Sequence, residues 1–180
     1  MKRHEHGYWL TPGGHTFDEK LAAGIAAILR DACATTVMDI GCGDGSYTRY
    51  FQAAGFTCKG YDGNPNTPPP CEVIDFAVPV WLHQSDAVLC LEVGEHIPAE
   101  FEDTFLDNVT DHAKKIAILS WAVPGQGGYG HVNERENGWV IFQMALRGFD
   151  IDPVLTDQLR QSVSNAHWFK DTVMVFHATA

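Results

Sequence analysis

The sequence predicts a doubly wound α/β sheet with helices on both faces. Three observations predict it. Short apolar runs suited to strands alternate with stretches of helical spacing; a glycine-rich turn joins the first such strand to a helix; and the chain closes on a strand pair. At 180 residues the chain fits one domain, residues 1–180, long enough for a full core but without room for a large lid.

The elements follow in order. Thr16-Phe17-Asp18-Glu19 reads as a capping box. Phe17, Leu21, Ile25, Ile28 and Leu29 then recur at helical spacing, so a helix should pack on the sheet ahead of the first strand. Val37-Met38-Asp39-Ile40 is that strand. Gly41-Cys42-Gly43-Asp44-Gly45 turns it into a second helix over roughly residues 46–54. Lys59-Gly60-Tyr61-Asp62-Gly63 reads as a second strand with an acidic end. Between it and the third strand end, Val73-Ile74-Asp75-Phe76, lie Pro68, Pro69 and Pro70. Prolines lack the N–H a helix needs, so an extended loop should replace a crossover helix there.

Asp86-Ala87-Val88-Leu89-Cys90-Leu91-Glu92 reads as the fourth strand. Pro98 at a first helical position, with Glu100, Glu102 and Asp103 nearby, opens a helix with Phe101, Phe105 and Val109 on one face. Lys115-Ile116-Ala117-Ile118-Leu119-Ser120-Trp121 is a buried strand, and a loop over residues 122–132 carries four glycines. Asn133 and Glu136 are capping candidates for a helix with Trp139, Phe142 and Leu146 facing inward. Thr172-Val173-Met174-Val175-Phe176-His177 is the last strand.

Composition narrows the function. A formal charge of −11 argues against a nucleic-acid partner, which is held by clustered Lys and Arg. No apolar run approaches the ~20 residues a membrane span needs, and the N-terminus lacks a signal-peptide core. Five cysteines, an odd number without a C-x-x-C pair, fit reduced thiols and a cytoplasmic setting.

The turn after the first strand carries the chemistry. Its glycines let backbone N–H groups approach a ligand closely. A dinucleotide fingerprint would need glycine where Ser46 stands, and Asp39 would repel a pyrophosphate. A ligand with an ammonium group and no phosphate suits Asp39 better, and S-adenosylmethionine has that character. The ordered set of strand ends resembles the class I (Rossmann-like) S-adenosylmethionine-dependent methyltransferases. The resemblance implies seven strands, mostly parallel with the last antiparallel. It also implies a cofactor site of Asp39, Gly41, Cys42, Gly43 and Ser46 in the turn, Asp62 and Gly63 at the ribose, Asp75 and Phe76 at the adenine, and Leu91 and Glu92 after the fourth strand. Tyr8 and Trp9 are read in two ways. They form a flap, part of an arm over residues 1–15, that offers a cation–π face to the sulfonium, or they merely cover the sheet.

Glu92-Val93-Gly94-Glu95-His96 follows the fourth strand at the ligand-binding edge. On a helical turn residues 92, 95 and 96 share one face, and two carboxylates with an imidazole suit Mg²⁺ or Mn²⁺. The segment resembles the metal-binding stretch of ubiquinone-biosynthesis O-methyltransferases and of small-RNA 3′-terminal 2′-O-methyltransferases, with His131 as the completing ligand. In the competing reading no metal binds, and His96 orders the loop or touches the cofactor. His131 and His96 are the general-base candidates, although positioning outweighs base catalysis in methyl transfer. Gln126, Tyr129, Trp168 and Phe169 are candidate walls of the acceptor pocket, which loops, the arm or a second subunit would complete. The expected activity is O-methylation of a small or conjugated acceptor. The alternatives are metal-assisted 2′-O-methylation at an RNA 3′ end and a non-catalytic adenosyl-ligand-binding partner subunit.

Overall fold

The computed structural model describes residues 2–11, 13 and 15–179. Seven strands form one sheet: β1 (Thr36–Ile40), β2 (Thr57–Asp62), β3 (Glu72–Val73), β4 (Ser85–Cys90), β5 (Ala113–Leu119), β6 (Phe149–Ile151) and β7 (Met174–Ala178). Their order is β3-β2-β1-β4-β5-β7-β6, and β7 runs antiparallel to both its neighbours. The chain reverses its direction of travel between β1 and β4. That switch point opens a crevice at the carboxyl ends of the strands.

Strand alternation divides the core in two. Val37, Ala87, Leu89, Ile116, Ile118 and Val175 pack against α1 (Glu19–Asp31), α2 (Ser46–Ala53) and α5 (Pro153–Ser162). Met38, Ile40, Val88, Ala117, Leu119 and Phe176 pack against α3 (Glu102–Asp111) and α4 (Asn137–Leu146). Adjacent residues of one strand therefore serve opposite faces.

Five expectations need correction. Asp18, not Thr16, caps α1, its Oδ1 accepting from the Leu21 N–H at 3.1 Å. Phe17 lies outside the helix and packs edge-on against Tyr47. The third strand shrinks to Glu72–Val73, so Asp75 and Phe76 lie beyond it. Pro98, in extended backbone, precedes a 3₁₀ turn at Ala99–Phe101, and α3 starts only at Glu102. In α4 the inward residues are Val140 and Met144, while Phe142 and Leu146 are 58% and 65% exposed. Apolar residues surround α4 on several sides, so spacing alone could not choose its buried stripe. Trp139, edge-on to Trp121 and under the Arg135 guanidinium, sets the roll.

The proline-containing connection is a loop without helix, as expected. The loop before β4 is fastened by α3. Asn108 donates to the Phe76 and Val78 carbonyls and accepts from the Val80 N–H, while His112 Nε2 accepts from the Leu82 N–H.

Asp18 also ties distant parts together. Its buried carboxylate accepts from the N–H groups of Ser164, Asn165 and Ala166 and from the Ser164 hydroxyl. These bonds hold its pKa well below the ordinary value despite burial. The stability they contribute is present above the unfolded-state pKa of roughly 4 and is lost as pH falls below it. Asp18→Ala should lower stability by roughly 2–4 kcal/mol, because several donors lose one acceptor. Urea unfolding at pH 7 and pH 3 should show that deficit narrowing in acid.

Candidate active site

At the switch point lies a cavity of about 560 Å³, of a size that suits a nucleoside-bearing ligand. Every cofactor-binding candidate from the sequence except Gly43 lines it, as do Glu95, His96 and His131. Gly43 stands just behind, its N–H donating to Asp62 Oδ2 at 2.9 Å. Gly41 and Gly43 have φ of 72° and 57°, the left-handed region that glycine adopts without strain. A Cβ on Gly41 would run into the Val93 side chain.

Asp39 is buried beneath this turn and accepts from the Thr48 hydroxyl of α2 at 2.6 Å. Burial pushes its pKa up to about 7; the Thr48 bond opposes the rise and the Asp62 charge adds to it. Asp62 accepts from Gly43 through one oxygen and from the Asn64 N–H through the other. Each carboxylate oxygen keeps a second lone pair for a ligand hydroxyl.

An N-terminal hairpin crosses the cavity mouth. The Leu10 N–H donates to the Lys2 carbonyl, the His4 N–H to the Tyr8 carbonyl, and Arg3 and Trp9 bridge. Tyr8 packs on Gly63, where any Cβ would collide with its ring. His6 Nδ1 meets Asp75 Oδ2 at 2.5 Å, and the Arg3 guanidinium donates to the Gly130 carbonyl. Trp9 stacks with Tyr129 and stands edge-on to His96. The hairpin thus touches both the β2 side and the glycine-loop side of the cavity.

Beyond β4, Glu92 adopts φ 54°, a left-handed conformation that costs roughly 1–2 kcal/mol without glycine. This breaks the expected helical face shared by residues 92, 95 and 96; only Gly94–His96 form a 3₁₀ turn. Glu92 turns instead to the Ser120 hydroxyl at 2.8 Å and the Gln126 amide at 3.1 Å. Burial raises its pKa, and those two bonds pull the other way.

The set that can share one ion is Glu95, His96 and His131, whose ligand atoms lie within 4.8 Å of one another. Backbone bonds bring them together, as the Val132 and Asn133 N–H groups both donate to the Glu95 carbonyl. Trp121 Nε1 donates to the Asn133 carbonyl and fixes the loop's exit. Glu95 is fully buried, and neither of its carboxylate oxygens makes a hydrogen bond among the described residues. Burial and the neighbouring Glu92 charge raise its pKa strongly. His131 Nε2 stands 4.0 Å from Glu95 Oε1, while its Nδ1 pairs with Glu134 at 3.1 Å. Burial pushes His96 down to about 4, which keeps the imidazole neutral and makes it a weak base.

Spacing could not reveal three of these contacts. Thr48 to Asp39, Ser120 to Glu92 and His6 to Asp75 join residues 9, 28 and 69 positions apart. No local pattern marks any of them.

The methyltransferase domain family matches the chain over residues 14–126. The chain belongs to that family. No curated protein matches its sequence. Among solved structures it resembles magnesium protoporphyrin IX methyltransferase from Synechocystis PCC 6803 with bound S-adenosylhomocysteine. There the identity is 16%, the TM-score 0.65, and the coverage 93% of this chain and 90% of that one. It also resembles a sugar N-methyltransferase from Streptoalloteichus, at 13% identity and TM-score 0.70, covering 94% and 97%. The methyltransferase domain of bacterial CtHen1-C is 17% identical with TM-score 0.65, covering 89% and 98%. The protein is thus a methyltransferase dependent on S-adenosylmethionine, and no helix among its described residues is long and apolar enough to cross a membrane.

A carboxyl whose folded pKa is raised is stabilising only while protonated. For Asp39 that contribution is complete below the unfolded-state pKa and is lost as pH rises through about 7. Asp39→Asn should therefore raise the melting temperature of the cofactor-free methyltransferase. The gain should grow between about pH 4 and 7 and stay level above that, as differential scanning fluorimetry across pH can establish.

Proposed function

We propose that this methyltransferase transfers a methyl group to a hydroxyl of a small or conjugated acceptor, held at a divalent cation on Glu95, His96 and His131. The observation that carries the reading is Glu95, a fully buried carboxylate whose two oxygens make no hydrogen bond of good geometry among the described residues, the Glu95 and Ala122 N–H groups and the Glu92 carboxyl only approaching it. Such a group needs a proton or a cation. The donors around it suit Mg²⁺ or Mn²⁺. Neutral His96 and the Nε2 of His131 both face it, and the Glu134 carboxylate on His131 Nδ1 is the outer partner that orients a ligating imidazole. When bound, a divalent cation supplies Lewis acidity that lowers an acceptor hydroxyl's pKa.

The remaining roles belong to the chain's own side chains. Asp39 faces the cofactor's ammonium, Asp62 its ribose hydroxyls, and Asp75 with Phe76 its adenine, with the hairpin of Tyr8 and Trp9 excluding water above. Glu92 holds Gln126 and Ser120 at the acceptor side. Holding nucleophile and methyl in line supplies most of the acceleration, on the order of 10⁵–10⁸ M in effective concentration. Among the described residues no Lys or Arg lines the cavity, which favours a neutral acceptor over a phosphodiester end. Five unpaired thiols fit a reducing, cytoplasmic setting.

Mn²⁺ titrated calorimetrically into protein saturated with S-adenosylhomocysteine should bind once per chain, at least tenfold more weakly in His131→Ala and Glu95→Gln. Absence of binding in the wild type would leave methyl transfer dependent on positioning alone. Asp39 generates a second outcome. An ammonium needs the ionised carboxylate, so affinity for S-adenosylhomocysteine should fall about tenfold from pH 8 to pH 6, and Asp39→Asn should abolish that slope.

A further inference from the structure

We infer that His15 receives the carboxylate at the amino-acid end of the cofactor. The inference rests on S-adenosylmethionine being the cofactor, and it begins from a charge imbalance. That ligand ends in an ammonium and a carboxylate. The cavity offers Asp39, Asp44 and Asp62 on the turn side, while no Lys or Arg lines it among the described residues. The ammonium therefore has partners in plenty, and the carboxylate must find its donors elsewhere. Left without one, an anion beside three carboxylates would be strongly disfavoured.

Among the described residues three lining side chains present an imidazole: His15, His96 and His131. His96 and His131 are committed beside Glu95, where an anion would meet the Glu92 and Glu95 carboxylates. His15 is differently placed. Its ring lies directly over Gly43 of the cofactor turn, with Nδ1 2.5 Å from where a Cβ on that glycine would stand. No hydrogen bond or ion pair engages the ring among the described residues, so its N–H is available to a ligand. The imidazole presents an N–H in either tautomer. The glycine at position 43 thus serves two purposes: it permits the turn, and it leaves room for this ring. The Tyr47 hydroxyl, in the same wall, accepts from the Asp18 N–H at 3.2 Å and keeps its own proton for a second bond to the carboxylate.

The test separates the tail of the cofactor from its nucleoside. S-adenosylhomocysteine carries the carboxylate; 5′-methylthioadenosine has the same nucleoside and thioether but no amino-acid end. Both are titrated calorimetrically into wild type, His15→Ala and His15→Gln, with thermal unfolding of each variant as the control for folding. The expected result is a loss of tenfold or more in S-adenosylhomocysteine affinity for His15→Ala. Binding of 5′-methylthioadenosine should stay within twofold, and His15→Gln, which keeps an N–H, should recover part of the loss. S-adenosylhomocysteine affinity within twofold of wild type would assign the carboxylate to backbone N–H groups of the turn and overturn the inference. Parallel loss of both ligands would overturn it too, by showing that His15 only packs. A wild-type protein that bound neither ligand would instead remove the cofactor assignment on which the inference stands.

Discussion

A carboxylate taken out of water must find donors or give up its charge, and six of them line one cavity here: Asp39, Asp44, Asp62, Asp75, Glu92 and Glu95. Much of the architecture answers that demand. Thr48 of α2 reaches down to Asp39, which sets how the helix sits on β1. Ser120 at the end of β5 and Gln126 in the glycine loop converge on Glu92, and His6 of the hairpin comes across to Asp75. Donors arrive from elements far apart in sequence, so the crevice is held by polar bonds as much as by the core below it. Glu95 is the exception, its two oxygens making no hydrogen bond of good geometry among the described residues.

Where local chemistry decides the structure, the sequence was easy to read. The glycine turn, the acidic ends of β1 and β2, the helix-free proline loop and the antiparallel last strand all follow from residue types at fixed spacing or from the family they resemble. Legibility ended where several tertiary choices were equally compatible with the pattern. The apolar surround of α4 left its roll to Trp139, Trp121 and Arg135, contacts invisible along the chain. Helix α5 has a capping signal in Asp152 and Pro153, but its short apolar stripe gives no clear periodicity. Of the Glu-x-x-Glu-His segment, Glu95 and His96 come together with His131. Its spacing could not foresee that Glu92 would take a left-handed backbone and accept from Ser120 and Gln126.

The structural relatives share the sheet at identities of 13–17%, and their names carry acceptors as different as a porphyrin and a sugar. Such breadth is expected when the cofactor turn sits on rigid strand ends and the acceptor side is built from loops. In this chain the loops near the cavity are the 3₁₀ turn at Gly94–His96, the glycine segment before Asn133 and the stretch leading to Trp168 that Asp18 ties down. Their fastening differs in kind. Asp18 acts through a buried, acid-sensitive carboxylate, whereas the glycine segment hangs from two N–H bonds to the Glu95 carbonyl.

The hairpin across the cavity has a practical corollary for handling the protein. The Lys2 carbonyl is bonded to the Leu10 N–H, within the same strap that carries Tyr8 and Trp9 over the mouth. A purification tag fused ahead of Lys2 would therefore extend from the strap that lies over the crevice. Strand β7 runs the other way from the parallel strands, with Met174 beside Leu119 and His177 beside Ile116. Its end emerges at the opposite edge of the sheet, and a tag appended there leaves the entrance clear.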